Sequence, residues 1–335
     1  MFDWNGPGVR GRAVALCAAL CLAPGLASAE ARELRFGLIT PPSHVWTKVA
    51  QRMAERLPEA SGGALELAVF PAGQLGSEQE MFQQMSFGLL DVGLMTAAIT
   101  SLRAPSMAGW FTPYIFDGVP EAIAAADAPA AQEMLDELSR ANLVGLGYTF
   151  AGMRHILMRE GVVHSPADLA NKKIRIVPFP AGQVWWNAVG AVPTPVNLGE
   201  VYSGLQSGLL DGIDIDLDAL VGLKFQEVGK GLTLSNHMTF PAVLVVSQLT
   251  WDTLSDAEKA AFTEVADEAL AWGSRQQIEA EKKNIATLEA EIETGRIPDA
   301  ETAFAAANQA FQERFGADPV VARFQQQVQA QEVTQ

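Results

Sequence analysis

Arg175 is the residue whose setting most constrains its chemistry. It sits in an alternating run, Ile174-Arg175-Ile176-Val177, that Pro178 stops. Successive side chains of a strand point to opposite faces, so the guanidinium leaves on the face away from its isoleucine neighbours. A buried or half-buried guanidinium is tolerable only when an anion shares its fork of donors. That anion is either one of the chain's own carboxylates or a ligand, and the residues alone leave both open. Arg154, in an AGMRH run, poses the same question, with bracing of a turn as its other reading. Further candidates for a ligand site are Phe179, Trp185 and Trp186 at a helix start, and Asp214 and Asp216 in the GIDID run. His44, Trp46 and Trp110 follow strands of the first half, where α/β folds place ligands. Aromatic faces can stack on a solute, and carboxylates can accept from its hydroxyls or an amine. Each has a plain reading too: the aromatics as packing, the aspartates as solvated loop residues, and Glu200 as a helix N-terminal charge.

Nothing in residues 30–335 matches a catalytic signature. There is no G-x-S-x-G, H-E-x-x-H, Walker-type loop or G-x-G-x-x-G, and the histidines at 44, 155, 164 and 237 lack metal-ligand spacing. The expectation is therefore no catalytic residue, no metal and no cofactor. A formal net charge of -16 argues against nucleic acid or an anionic membrane surface as partner, since both reward basic patches.

The N-terminus reads as a secretory signal. Arg10 and Arg12 precede a short apolar run, 13–22, and Ala27-Ser28-Ala29 is an A-x-A cleavage site, so the exported chain is expected to start at Glu30 in the periplasm. Leu20 disfavours a lipoprotein reading of Cys21. Both cysteines, Cys17 and Cys21, fall in the removed segment, which leaves no disulfide.

The elements that must carry these residues follow from pattern. Strands are expected at 34–39, 65–70, 89–95, 143–150, 154–158, 173–177, 209–215 and 240–247. Helices alternate with them. One begins at Ser43 as N-cap, and one begins at Ser77, whose spacing to Glu80 makes a capping box, and ends near Gly88. Residues 104–116 read as irregular, and an Ala-rich helix pair follows through 141. Residues 253–293, opened by a Ser255–Glu258 capping box, form a helix long enough to lie across two lobes, and one or two helices complete the tail. The alternation implies an α/β protein with mainly parallel sheets, one per lobe.

Assembled in order, these stretches resemble the periplasmic solute-binding proteins of TRAP transporters, the C4-dicarboxylate-binding, DctP-like family. The resemblance rests on SGGALELAVFPAGQLGSEQEMF and FGLLDVG, GLGYTFAGMRHI, SPADLANKKIRIVP, GAVPTPVNLGEVYSGLQSGLLDG, and KFQEVGKGLTLSNH. It implies a two-lobe, periplasmic-binding-protein-like α/β fold with a central cleft and a long helix spanning both lobes. Residues 1–29 would be the signal peptide, 30–152 with about 241–275 the first lobe, and 153–240 with about 276–335 the second. The family's KIR arginine, which salt-bridges a substrate carboxylate, falls on Arg175, and its GxR arginine, a supporting contact, on Arg154. Two positions depart from the family: Leu198 stands where an aromatic is usual, and Ile215 where an asparagine is usual. The implied function is capture of a small organic carboxylate by a monomer, hinge closure, and delivery to a membrane permease. A sugar acid, aromatic acid, keto acid or dicarboxylate all remain open. The other readings are a ligand sensor for another membrane partner and an exported enzyme.

Overall fold

The computed structural model describes residues 1–4 and 31–332. The expected signal segment, with both cysteines, lies outside the described residues apart from Met1–Trp4. Two sheets organise residues 31–332. The first contains β1 (Arg32–Gly37), β2 (Leu65–Phe70), β3 (Val92–Thr96), β4 (Leu143–Met153) and β10 (Thr239–Ser247), in the order β2-β1-β3-β10-β4. The second contains β5 (His155–Met158), β6 (Lys173–Ile176), β7 (Val192–Pro195), β8 (Gly212–Ile215), β9 (Gly231–Thr233) and β11 (Glu293–Gly295), in the order β11-β9-β5-β8-β6-β7.

Each sheet is mainly parallel, as expected, with one strand running against the rest: β10 in the first and β5 in the second. β1 runs parallel to β2 and β3, and β6 parallel to β7 and β8. β10 is antiparallel to β3 and β4, while β5 is antiparallel to β8 and β9. The cause is the crossing itself. Only Arg154 separates β4 from β5, so the chain passes directly from one sheet to the other and then comes back through 234–238 into β10. A strand that returns in this way has no crossover helix to reverse it, so it lies antiparallel to its neighbours. The two crossings touch, with the Arg154 N–H donating to the Met238 carbonyl at 2.7 Å.

Local signals set most helix limits. Ser77 caps the helix Glu78–Ser86 through the full capping box with Glu80. The same box at Ser255 and Glu258 opens the helix Asp256–Glu291, whose 36 residues span about 54 Å at ~1.5 Å per residue. The helix Val45–Ala60 is capped by His44 rather than by Ser43, because the His44 Nδ1 accepts from the Trp46 N–H at 3.1 Å. Residues Pro105–Phe111 form a 3₁₀ turn rather than an irregular stretch. Strands β7, β9 and β11 are too short and too polar or Pro-rich to show a period in sequence.

The long helix ties the halves together. It packs on the helix Val45–Ala60 and on β4, then on Leu217–Gly222 and β11. Gln277 Nε2 donates to the Ala151 carbonyl at 2.9 Å, and Asn284 Nδ2 to Asp218 Oδ1 at 3.4 Å. The other oxygen of Asp218 accepts from the Val45 N–H at 2.7 Å, so one carboxylate joins three elements. No described helix is long and apolar enough to cross a membrane.

Gly152 makes the close approach to this helix possible. Its φ is +107°, and a Cβ there would lie 2.3 Å from Glu281 Oε2. Gly152→Ala is therefore expected to lower the unfolding free energy by about 2 kcal/mol or more, read from urea denaturation midpoints. A change within experimental error would refute the tight packing at that point.

Candidate functional site

β6 lies between β7 and β8, so its residues are covered on both sides. Arg175 is 3% exposed. Its Nε donates to the Val196 carbonyl at 2.9 Å. Beyond that bond, the guanidinium has no carboxylate or other acceptor among the described residues. Its face opens on a cavity of about 440 Å³. Burial, and next the nearby Arg154 charge, push the Arg175 pKa down to about 10, against the pull of Asp214, Asp216 and Glu78. It stays fully charged at neutral pH.

The cavity lies at the C-terminal ends of parallel strands from both sheets. Ile39 after β1, Gly73 after β2 and the start of the helix Glu78–Ser86 form one wall. Val177 and Pro178 after β6, and Asn197 to Glu200 after β7, form the other. Loops leave parallel strands in opposite directions at such places and open a crevice between them. A volume of this size suits a ligand of roughly sugar dimensions.

Glu78 is the second ionisable group in this cavity with an unusual state. Its Oε1 accepts from the Thr96 N–H at 2.6 Å and its Oε2 from the Thr96 hydroxyl at 3.0 Å. Burial pushes its pKa up to about 7, because desolvation outweighs those two bonds and the attraction of Arg175.

Arg154 has a different fate from Arg175. Its Nε donates to Asp214 Oδ1 at 2.6 Å, its Nη1 to Asp216 Oδ2 at 3.3 Å, and its Nη2 to the Asp214 carbonyl. The Phe240 ring covers the guanidinium at 4.2 Å. Asp214 also accepts from Trp186 Nε1 at 3.0 Å, and Asp216 caps Leu217–Gly222 through the Ala219 N–H at 2.8 Å. Burial alone would raise the Asp214 carboxyl, but the Arg154 charge and the facing His237 and Trp186 donors hold it well below the usual range. His44 Nε2 stands 3.5 Å from Asp216 Oδ1. Asp214 and Asp216 are thus buried network members, which corrects their reading as solvated loop residues.

The remaining candidates are distributed as follows. Leu198 lines the Arg175 cavity. Ile215 is buried in the second core cluster, beside His155 in the β5–β8 pairing. Phe179 caps Pro180–Val189 and packs on Phe111 at 4.5 Å. Trp185 stacks on His237 at 4.8 Å and donates to Asn308 Oδ1 at 3.0 Å. Trp46 faces Phe240, and Trp110 is fully buried among Tyr148, Phe150 and Phe324. The structure therefore brings Arg175 and Leu198 to one cavity and puts Arg154, Asp214, Asp216 and His44 in one network behind it. Glu200 lines the cavity and makes no side-chain cap bond. Glu78 was missed because the Ser77–Glu80 box beside it accounted for that helix start. The available signal was a second acid in a first turn already capped.

A family model described as bacterial extracellular solute-binding protein, family 7, matches residues 36–318. The chain is 28% identical over 243 residues to the sialic acid-binding periplasmic protein SiaP of Vibrio cholerae, covering 72% of this chain and 75% of that one. It is similar to the crystal structure of a TRAP periplasmic solute-binding protein from Xanthobacter autotrophicus with bound β-D-galacturonate, at 27% identity and a TM-score of 0.84, covering 89% of this chain and 99% of that one. A second, from a Polaromonas species and bound to D-erythronate, matches at 26% identity and a TM-score of 0.81, covering 88% and 98%.

The state of Glu78 has a consequence for stability. Its folded pKa of about 7 lies above the ordinary 4.5, so the folded form holds the proton more tightly. Stability from this group is complete below pH 4.5 and is lost as pH rises through about 7. Glu78→Gln removes that titration. Between pH 4.5 and 8 the stability difference should move in the variant's favour by roughly 3 kcal/mol, measured by urea unfolding at both pH values. A difference that does not change with pH would contradict the burial of an ionisable group there.

Proposed function

The chain belongs to the bacterial extracellular solute-binding proteins of family 7, and we propose that it captures a sugar acid through Arg175 and delivers it to a TRAP membrane permease. Its family consists of solute-binding transport proteins rather than enzymes, and its relatives are periplasmic. One observation carries the proposed chemistry: a buried guanidinium faces a cavity and, among the described residues, forms no ion pair with a protein carboxylate. A ligand carboxylate supplies the missing anion, and the planar fork of Arg175 holds its two oxygens with directionality that a lysine lacks.

The rest of the cavity suits a hydroxylated acid. Ser77, Glu78, Gln79 and Asn197 offer donors and acceptors, while Ile39, Ile99 and Leu198 give it an apolar flank. The acid sugars bound by the two structural neighbours fall in this class. Arg154 serves by position: it anchors the crossing between the sheets and leaves the solute to Arg175.

Closure follows from where the halves join. The walls of the cavity come from opposite sides of the paired crossings at Arg154 and Met238. Small rotations there bring the walls together over a bound solute, with the long helix as brace, and the closed form presents the surface that the permease selects. The first lobe comprises 30–152 with about 241–275, and the second 153–240 with about 276–335. The exported protein begins at Glu30, after cleavage behind Ala29, and works as a monomer in the periplasm.

With D-galacturonate as probe, Arg175→Ala should weaken calorimetric binding by about 2–4 kcal/mol, and Arg175→Lys should restore only part of it. Unaltered affinity in the alanine variant would sink the assignment. A thermal-shift series over sugar acids and the matching neutral sugars tests the solute class. A true solute at 100 times its Kd adds ~2.7 kcal/mol, and a response confined to the neutral sugars would reverse the reading.

A further inference from the structure

The charges around the cavity are unequal. Among the described residues, Arg175 is its only basic lining residue, against the carboxylates of Glu78, Glu80 and Glu200. The other arginine of the region, Arg154, is fully engaged with Asp214 and Asp216. Once a solute carboxylate has neutralised Arg175, no cation lining the cavity remains for a second one.

Of the three acids, Glu78 is the one removed from water. The Thr96 oxygen accepts from the Ile99 N–H at 3.0 Å, which turns its hydroxyl proton toward Glu78. Glu80 differs: it is exposed, receives the Ser77 N–H and hydroxyl at 2.8 Å each, and is held below the ordinary carboxylate range by them. The elements packed most extensively against the Glu78 helix are β3, the turn Ala97–Thr100 and β10, none with a titratable side chain, and β1, which Met81 touches at Gly37, carries Arg32, Glu33 and Arg35. Across the cavity, Glu78 is faced by Arg175 and by the carboxylate of Glu200.

Resting on the proposed reading of Arg175 as the carboxylate anchor, we infer that Glu78 sets the charge of the solute. A monocarboxylate enters as such, whereas a dicarboxylate is accepted only together with one proton, which Glu78 takes up. Two carboxylates that share a dry site cannot both stay ionised. The balance is simple: the dianion binds, one proton moves from solvent to a Glu78 carboxyl oxygen, and no other bond changes. Burial has already brought the Glu78 pKa to about 7, so among the lining acids it takes the proton most readily. The dicarboxylate therefore loses affinity as pH rises beyond that value.

D-erythronate and meso-tartrate test this, because they share a four-carbon chain and differ by one terminal carboxylate. Both are measured calorimetrically from pH 6 to 9 with the whole exported chain. The Kd ratio of tartrate to erythronate should rise up to roughly tenfold per pH unit above about 7, and tartrate should take up about one proton near pH 8, read from buffers of different ionisation enthalpy. In Glu78→Gln both the slope and the proton uptake should vanish, a pattern that mere loss of packing does not produce. Thr96→Val, which deletes a bond to the ionised carboxylate, should move the onset to higher pH and serves if the glutamine variant fails to fold. A pH-independent ratio in the parent, or a slope retained in Glu78→Gln, overturns the inference and leaves the carboxylate anchor intact. If neither acid, nor the six-carbon pair D-galacturonate and galactarate, binds at any pH, the anchor itself fails and the inference with it.

Discussion

A guanidinium taken out of water must meet an anion, and the structure resolves that requirement in opposite ways at two arginines. Arg154 is closed off by Asp214, Asp216 and the Asp214 carbonyl. Arg175 has a single carbonyl bond and an open cavity. The two outcomes depend on each other. Asp214 and Asp216 are held by Arg154, Trp186 and the Ala219 N–H, so neither carboxylate is left to neutralise Arg175. The network behind the cavity thereby preserves the charge inside it.

That network also sits where the chain changes sheets. Arg154 is the one residue between β4 and β5, and its backbone N–H holds the returning segment at Met238. Packing Phe240 over its side chain and pairing it with the end of β8 fixes the crossing relative to both sheets. Asp218 and the long helix add a second tie through Val45 and Asn284. Motion between the walls of the cavity must bend the few residues at the crossings, because the elements on either side are clamped.

The cavity itself combines one cation with three acids in about 440 Å³. Such a composition separates recognition of a carboxylate from recognition of everything else on the solute. On the proposed function, Arg175 would supply orientation and attraction, and the first-sheet wall, through Glu78 and Ser77, would meet the rest of the solute. Leu198 adds an apolar patch on the opposite wall.

Much of this was legible without coordinates where the physics is local. A capping box links residues three apart, so the helix starts at Ser77 and Ser255 were readable. The strand that carries Arg175 was readable from alternation, and the order of sequence blocks was enough to name the family. The partners of the charges were not readable. Arg154 finds Asp214 and Asp216 across 60 and 62 residues, and Glu78 reaches Thr96 by folding its helix back on β3. The reversed strands β5 and β10 belong to the same class, since their direction depended on how a crossing returns. Sequence determined which groups are charged and which elements hold them; only the tertiary structure decided which charges are neutralised, because pairing depends on distance through space and not along the chain.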